Sequence, residues 1–254
     1  MIKCNYHTHT TFCDGKNTPE ELVLEAIRLG CAEIGFSGHS YTFFDESYCM
    51  SLDATQNYKD EIRRLKEKYG DRIRIYLGIE QDYYASEPTD DYDYVIGSVH
   101  YVKKDGVYLP IDESMESQKE IVERYYCGDY YSFVEDYYRT VSDVYQKTKC
   151  DIVGHFDLIT IYNDGNTLFD TDDKRYRDAC FGALEMLEKE AVAFEINTGA
   201  IAREYKKDVY PSDEIIERLK KANKKLVFSS DCHDVKNLLF GYDICLKKVE
   251  KREI

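Results

Sequence analysis

All six histidines of this 254-residue chain stand at the ends of short apolar or small-residue runs. His7 and His9 lie in Asn5-Tyr-His-Thr-His-Thr10, His39 closes Gly35-Phe-Ser-Gly-His39, and His100 closes Gly97-Ser-Val-His100. His155 closes Val153-Gly-His155, and His233 closes Ser229-Ser-Asp-Cys-His233. Three acids share these settings: Asp14 in Cys13-Asp-Gly15, Glu80 in Leu77-Gly-Ile-Glu80, and Asp231 two residues before His233. Imidazoles and carboxylates gathered at strand ends are the ligand set of a multinuclear metal site. A fold that serves them must bring distant strand ends to one point.

Runs of β-type residues recur at 2–6, 33–37, 74–79, 94–99, 151–154, 193–197 and 226–230. Helical spacing fills the gaps. Leu22, Val23, Ala26 and Ile27 share one face at the 3.6-residue period. Thr18 caps that helix, Pro19 suits its first turn, Glu21 completes a capping box, and Gly30 marks its end. Further helices are predicted over 55–69, 117–147 with a break near Gly128, 172–190 and 212–222. Alternating strand and helix means βαβ units and a parallel sheet. In an open sheet the outer strand ends would lie roughly 20 Å or more apart at about 4.8 Å per strand, too far to share ligands. The predicted architecture is therefore α/β, a distorted TIM-like (βα)7 barrel with its site at the C-terminal ends of the strands. No Pro-, Gly- or Ser-rich linker divides the chain, so a single domain is expected over 1–254.

The formal net charge of −15 argues against nucleic acid and anionic membrane as partners, because polyanions need a surplus of Lys and Arg. No apolar stretch approaches the roughly 20 residues of a membrane span, and the start of the chain lacks a signal-peptide layout, so a cytoplasmic protein is expected. Nine cysteines, an odd number with scattered spacing and no Cys-x-x-Cys, fit reduced thiols, with Cys13 and Cys232 as space-fillers rather than ligands. The oligomeric state stays open, a homodimer included.

His7 and His9, two apart on a strand, point the same way, as do Asp231 and His233. The full metal set is His7, His9, Asp14, His39, Glu80, His100, His155, Asp231 and His233. Nine donors exceed what one ion with an open position needs, so two or three divalent ions are expected. The mix of imidazole and carboxylate points to Zn, Fe or Mn in a catalytic site.

The order His-x-His, Asp, His, Glu, His, His, Asp-x-His resembles the polymerase-and-histidinol-phosphatase (PHP) family, across residues 7–233. Gly97-Ser-Val-His-Tyr-Val102, Gly154-His-Phe-Asp-Leu158, Glu195-Ile-Asn-Thr198 with Tyr210-Pro-Ser212, and Ser230-Asp-Cys-His233 resemble its histidinol-phosphatase branch. The resemblance implies a trinuclear centre. One ion would be held by His7, His9, Glu80 and Asp231, a second by Asp14, His39 and His233, and a third by Glu80, His100 and His155, with Glu80 bridging. Relatives often carry histidine in the place of Asp14, so the second ion is where this chain would differ.

Such a cluster acidifies bound water, holds a phosphate and neutralises developing charge, which together suit phosphomonoester hydrolysis. The acids placed for catalysis, Glu80, Asp14 and Asp231, already have ligand roles, so a metal-bridging hydroxide is the expected nucleophile rather than a carboxylate. Arg203, after the sixth strand, resembles the branch's phosphate-binding arginine, and a guanidinium grips phosphate in a bidentate way. In Ile159-Thr-Ile-Tyr162, where relatives can carry a second basic residue, Thr160 offers only a hydroxyl. Asp157 is placed to meet a cationic amine or, alternatively, to brace its loop. The resemblance implies a histidinol-phosphate phosphatase serving histidine biosynthesis. The alternatives are a phosphoesterase acting on another small ester or on nucleotide ends, or a non-catalytic metal-binding module. An amidohydrolase would place a lysine at a strand end, and none stands there.

Overall fold

The computed structural model describes residues 4–250. Its elements run β1 (Cys4–Asn5), α1 (Pro19–Arg28), β2 (Glu33–Phe36), α2 (Leu52–Tyr69), β3 (Arg74–Asp82), β4 (Tyr94–Ser98), β5 (Tyr101–Lys104) and β6 (Val107–Pro110). They continue with α3 (Met115–Tyr126), α4 (Tyr130–Ser142), α5 (Val144–Thr148), β7 (Ile152–Val153), α6 (Lys174–Glu188) and β8 (Ala193–Asn197). The last are α7 (Gly199–Ala202), α8 (Asp213–Lys221), β9 (Leu226–Ser229) and α9 (Tyr242–Glu250). Of the first predicted strand, residues 2 and 3 lie outside the described residues.

Seven strands pair in parallel in the order β1-β2-β3-β4-β7-β8-β9. The sheet closes on itself past the ends of β1 and β9. There Thr8 bridges Cys232, with the His9 amide donating to the Cys232 carbonyl at 2.9 Å and the Cys232 amide donating to the His7 carbonyl at 3.0 Å. The Asn5 amide side chain adds a bond to Ser230 Oγ at 2.8 Å. A barrel closed this way aims every strand's C-terminal end at one mouth. No helix among the described residues is long and apolar enough to cross a membrane.

The helices form where local chemistry starts and stops them. In α1 the Thr18 hydroxyl accepts from the Glu21 amide while Glu21 accepts from the Thr18 amide, and Leu22, Val23 and Ala26 face the barrel. Helix α2 begins three residues before the predicted start because Ser51 caps it. The predicted 117–147 helix is three helices. Cys127 and Gly128 both take left-handed φ values, 53° and 81°, which ends α3, and Asp129 caps α4. The stripe Phe133, Tyr137, Val141 and Val144 is buried against the core, with Tyr130 half-buried beside it. It is packing surface, and each such buried side chain contributes roughly 1.5–3 kcal/mol.

Helices α7 and α9 and one hairpin lie beyond the predicted set. Strands β5 and β6 form an antiparallel hairpin, outside the barrel order, turning at Asp105 and Gly106 with φ 50° and 83°. Two successive left-handed residues make the tight turn that matches strand twist, and Asp-Gly is its sequence signature.

Candidate metal centre

The barrel mouth gathers all nine predicted donors. Strand β3 runs to Asp82, three residues past its predicted end, and carries Glu80 inward. His39 bridges Glu80 across the sheet. The approach of Asp14 depends on Gly15, where a Cβ would sit 2.4 Å from the His9 carbonyl carbon and the Thr10 nitrogen. Asp231 and His233 reach the centre by a turn rather than by strand alternation, which corrects the period-two expectation. Strand β9 ends at Ser229, and Asp231 has φ 47°. A non-glycine residue held there stores strain, a feature that clusters at functional sites. Arg203 holds it in place, donating to the Asp231 carbonyl at 3.2 Å and to Oδ2 at 3.0 Å.

Glu80 is the hub. Its Oε2 lies 3.2 Å from His7 Nε2, 3.5 Å from His9 Nε2 and 2.9 Å from His39 Nδ1. Its Oε1 lies 3.0 Å from His155 Nε2 and 3.4 Å from His100 Nε2. Asp231 Oδ1 lies 3.2 Å from His9 Nε2, and Asp14 Oδ2 lies 3.1 Å from His233 Nε2. The donor atoms fall into overlapping groups: His9, Asp14, His39 and His233; His7, Glu80 and His155; His7, His9 and Asp231; and His39, Glu80 and His100. These groups differ from the partition the resemblance implies: His7 rather than His100 shares a group with Glu80 and His155, and Glu80 stands outside the group of His7, His9 and Asp231. His9 also joins the Asp14 group, and His39 also reaches Glu80.

The donor set fits divalent ions on its own chemistry. His7 Nε2, His9 Nε2 and Glu80 Oε2 are buried and make no hydrogen bond, although they converge on one another. Leaving such groups unsatisfied costs about 1–3 kcal/mol each, and a cation between them removes that cost. Burial opposes charge on Glu80, yet His7, His39 and His100 hold its carboxyl well below the usual range. Burial likewise opposes charge on Asp231, and Arg203 and His7 keep it ionised. Burial, then the nearby His233 and His39, push His9 down to about 3, so its ring stays a neutral donor.

Two carboxylates outside the predicted site set support the donors from behind. Glu195, buried in β8, places Oε1 2.6 Å from His7 Nδ1 and accepts the His155 backbone amide at 2.8 Å. Asp82 Oδ2 lies 3.3 Å from His100 Nδ1. Carboxylates on the far nitrogen fix which nitrogen of a histidine faces a metal. Both carried a sequence signal. Glu195 is a lone charge inside an apolar strand, and Asp82 is two residues past Glu80, on the same strand face.

A cavity of about 740 Å³ opens above the donors. Its floor includes Glu80, His100 and His155; its walls include Arg203, Asp112, Tyr101, Tyr108 and Phe44. The hairpin supplies the aromatic wall, with Tyr108 stacked on Phe44 at 3.7 Å between ring centres. Of the predicted substrate contacts, Arg203 lines the cavity, with about 32% of its side chain exposed. Asp157 and Thr160 do not. Asp157 is fully buried, its Oδ2 accepting the Ser212 amide at 3.0 Å, and Thr160 Oγ1 donates to the Asp157 carbonyl at 2.8 Å. Neither side chain lines the cavity. Cys13 and Cys232 fall outside every donor group, and burial pushes both thiols up to about 12, which leaves them protonated.

Fold and donor set define a parallel barrel with a metal-binding constellation at its C-terminal mouth. The chain belongs to the PHP domain family, whose model matches residues 5–199. Among its relatives is the histidinol-phosphatase of Bacillus subtilis, 28% identical over 275 residues that span 98% of this chain and 100% of that protein. Another is the histidinol-phosphatase of Lactococcus lactis, 29% identical over 93% of this chain and 86% of that one. The crystal structure of histidinol phosphate phosphatase from Lactococcus lactis, complexed with zinc, L-histidinol and phosphate, superposes with a TM-score of 0.68. That pair shares 23% identity and covers 98% of this chain and 92% of the other.

Proposed function

We propose that this chain is a metal-dependent phosphomonoesterase that hydrolyses L-histidinol phosphate to L-histidinol and phosphate. The observation that carries the reading is the convergence of nine intact donors beneath a cavity whose wall presents an arginine. Relatives named histidinol-phosphatase over nearly their whole length supply the substrate.

The nine donors would hold two or three divalent ions, Zn, Fe or Mn. Bound there, the ions supply Lewis acidity, an acidified water and charge neutralisation for the phosphate. The protein's own share is positioning and electrostatics. Glu80 links the donor groups and spaces them. Glu195 and Asp82 keep His7 and His100 turned toward the centre. Arg203 braces Asp231 and offers its exposed part to the phosphate oxygens. Asp112, also on the cavity lining, offers a carboxylate to a substrate's ammonium, and Tyr101, Tyr108 and Phe44 offer flat apolar surface to an imidazole.

A phosphate-release assay across a panel of small esters tests this reading. L-Histidinol phosphate should give the highest kcat/KM, well above p-nitrophenyl phosphate. Stronger turnover of a different ester would replace the substrate while keeping the chemistry.

A further inference from the structure

Arg203 is largely committed to the metal ligands. Its two terminal nitrogens lie 3.0 and 3.2 Å from Asp231 oxygens and 3.1 Å from His233 Nδ1. The lysines on the cavity wall, Lys16 and Lys236, are more than two-thirds exposed, and both pair with Asp234. A phosphate monoester dianion above the floor therefore meets one partly spent guanidinium and two solvated ammoniums.

Lys206 is different. It lies just past Arg203 and Tyr205, both on the wall, and its ammonium turns back to Thr160 Oγ1 at 2.8 Å. Thr160 itself sits between the cavity-lining Leu158 and Ile161. The ammonium stands 4.3 Å from the centre of the Tyr210 ring, which is 6.5 Å from the His155 ring of the metal floor. The Tyr210 hydroxyl is buried without a hydrogen-bond partner. Lys206 is half-buried yet makes no ion pair among the described residues. Its charge is felt by buried Asp157, which lies beyond ion-pair distance. A half-desolvated ammonium satisfied by one hydroxyl and one aromatic face has donors left over, and an anion is what completes its shell.

We infer that Lys206 is the second phosphate-binding cation of this site, parked on Thr160 and Tyr210 and swinging on its flexible stem to meet the substrate's phosphate beside Arg203. This inference rests on the phosphomonoesterase reading. The role is one of anion binding and specificity for dianionic esters. A compact ammonium on four methylenes suits it, since it can move where a braced guanidinium cannot.

Calorimetric titration of inorganic phosphate onto the metal-loaded protein tests the inference independently of turnover. Lys206→Ala should weaken phosphate binding about tenfold, the scale of one lost charged hydrogen bond, with metal content unchanged. KM for the ester should rise by a similar factor while kcat changes little, and Lys206→Arg should recover most of the loss. Unchanged phosphate affinity in Lys206→Ala, with only a lowered Tm, would make Lys206 a brace for Asp157 and overturn the proposal. A wild-type protein that binds phosphate through Lys206 but hydrolyses no phosphomonoester would instead sink the functional reading alone.

Discussion

The floor and the wall of the cavity are built by opposite means. The floor is made of side chains at or near strand ends, most of them buried, mutually supporting and backed by Glu195 and Asp82. The wall comes from a hairpin, a short helix and loops, and its polar groups are partly exposed. A barrel fixes strand ends rigidly, so chemistry that needs close geometry sits there, while the loops above remain free to set what enters. Floor substitutions should abolish metal binding and turnover together. Wall substitutions should shift affinity and leave the metals in place.

The largest effect should come from Glu80→Gln, which removes charge from the hub. It should lower kcat/KM by roughly a thousandfold or more and reduce the metal content read by mass spectrometry, with the circular dichroism spectrum retained. Arg203→Ala straddles floor and wall, and should lower kcat/KM on a phosphomonoester by about a hundredfold. Wild-type-like kinetics would dispose of its role. Glu195→Gln leaves every donor present yet loosens His7, so metal affinity measured by competition with a chelator should drop roughly 10- to 100-fold. Tyr108→Ala, on the wall alone, should raise KM a few-fold with kcat and metal content little changed.

Asp157→Asn should have the smallest kinetic effect, because the carboxylate never meets the cavity. Its stability effect has a definite sign. Burial raises the Asp157 pKa, so the folded state favours the protonated form and is penalised once the pH climbs through that raised value. The asparagine should therefore raise Tm at neutral pH, and the gap should close as the pH falls through the ordinary carboxylate range. A substitution that instead cost kcat/KM heavily would return Asp157 to the substrate wall.

The same division explains what the sequence disclosed. The floor was legible because every donor but Asp14 stands at or just past a short β-type run, so strand recognition and ligand recognition reinforced each other, and convergence demanded a closed barrel. The partners behind the donors were less visible. Glu195 and Asp82 act through contacts 188 and 18 residues away in sequence, which no local pattern reveals. Asp231 reached the centre although the assumed strand alternation was absent, because a left-handed residue and Arg203 do what extension was expected to do. The wall was least legible. Lys103-Lys-Asp-Gly-Val107 carries a hairpin turn signal, but its strands are only four residues each, and its importance lies in Tyr101 and Tyr108 packing on Phe44 in the cavity wall. For Asp157 the sequence leaves a substrate contact and a loop brace both open, and the turn after β7 directs the side chain into the core.

The central claim is that the nine donors form one multinuclear centre that hydrolyses a phosphate ester. Metal content per chain, followed alongside phosphate release from L-histidinol phosphate during stepwise removal and return of Zn, Fe or Mn, tests it most directly. Two or three ions per chain, with turnover lost on chelation and regained on reloading, is the predicted result. At most one bound ion, or turnover indifferent to the metal, would contradict it.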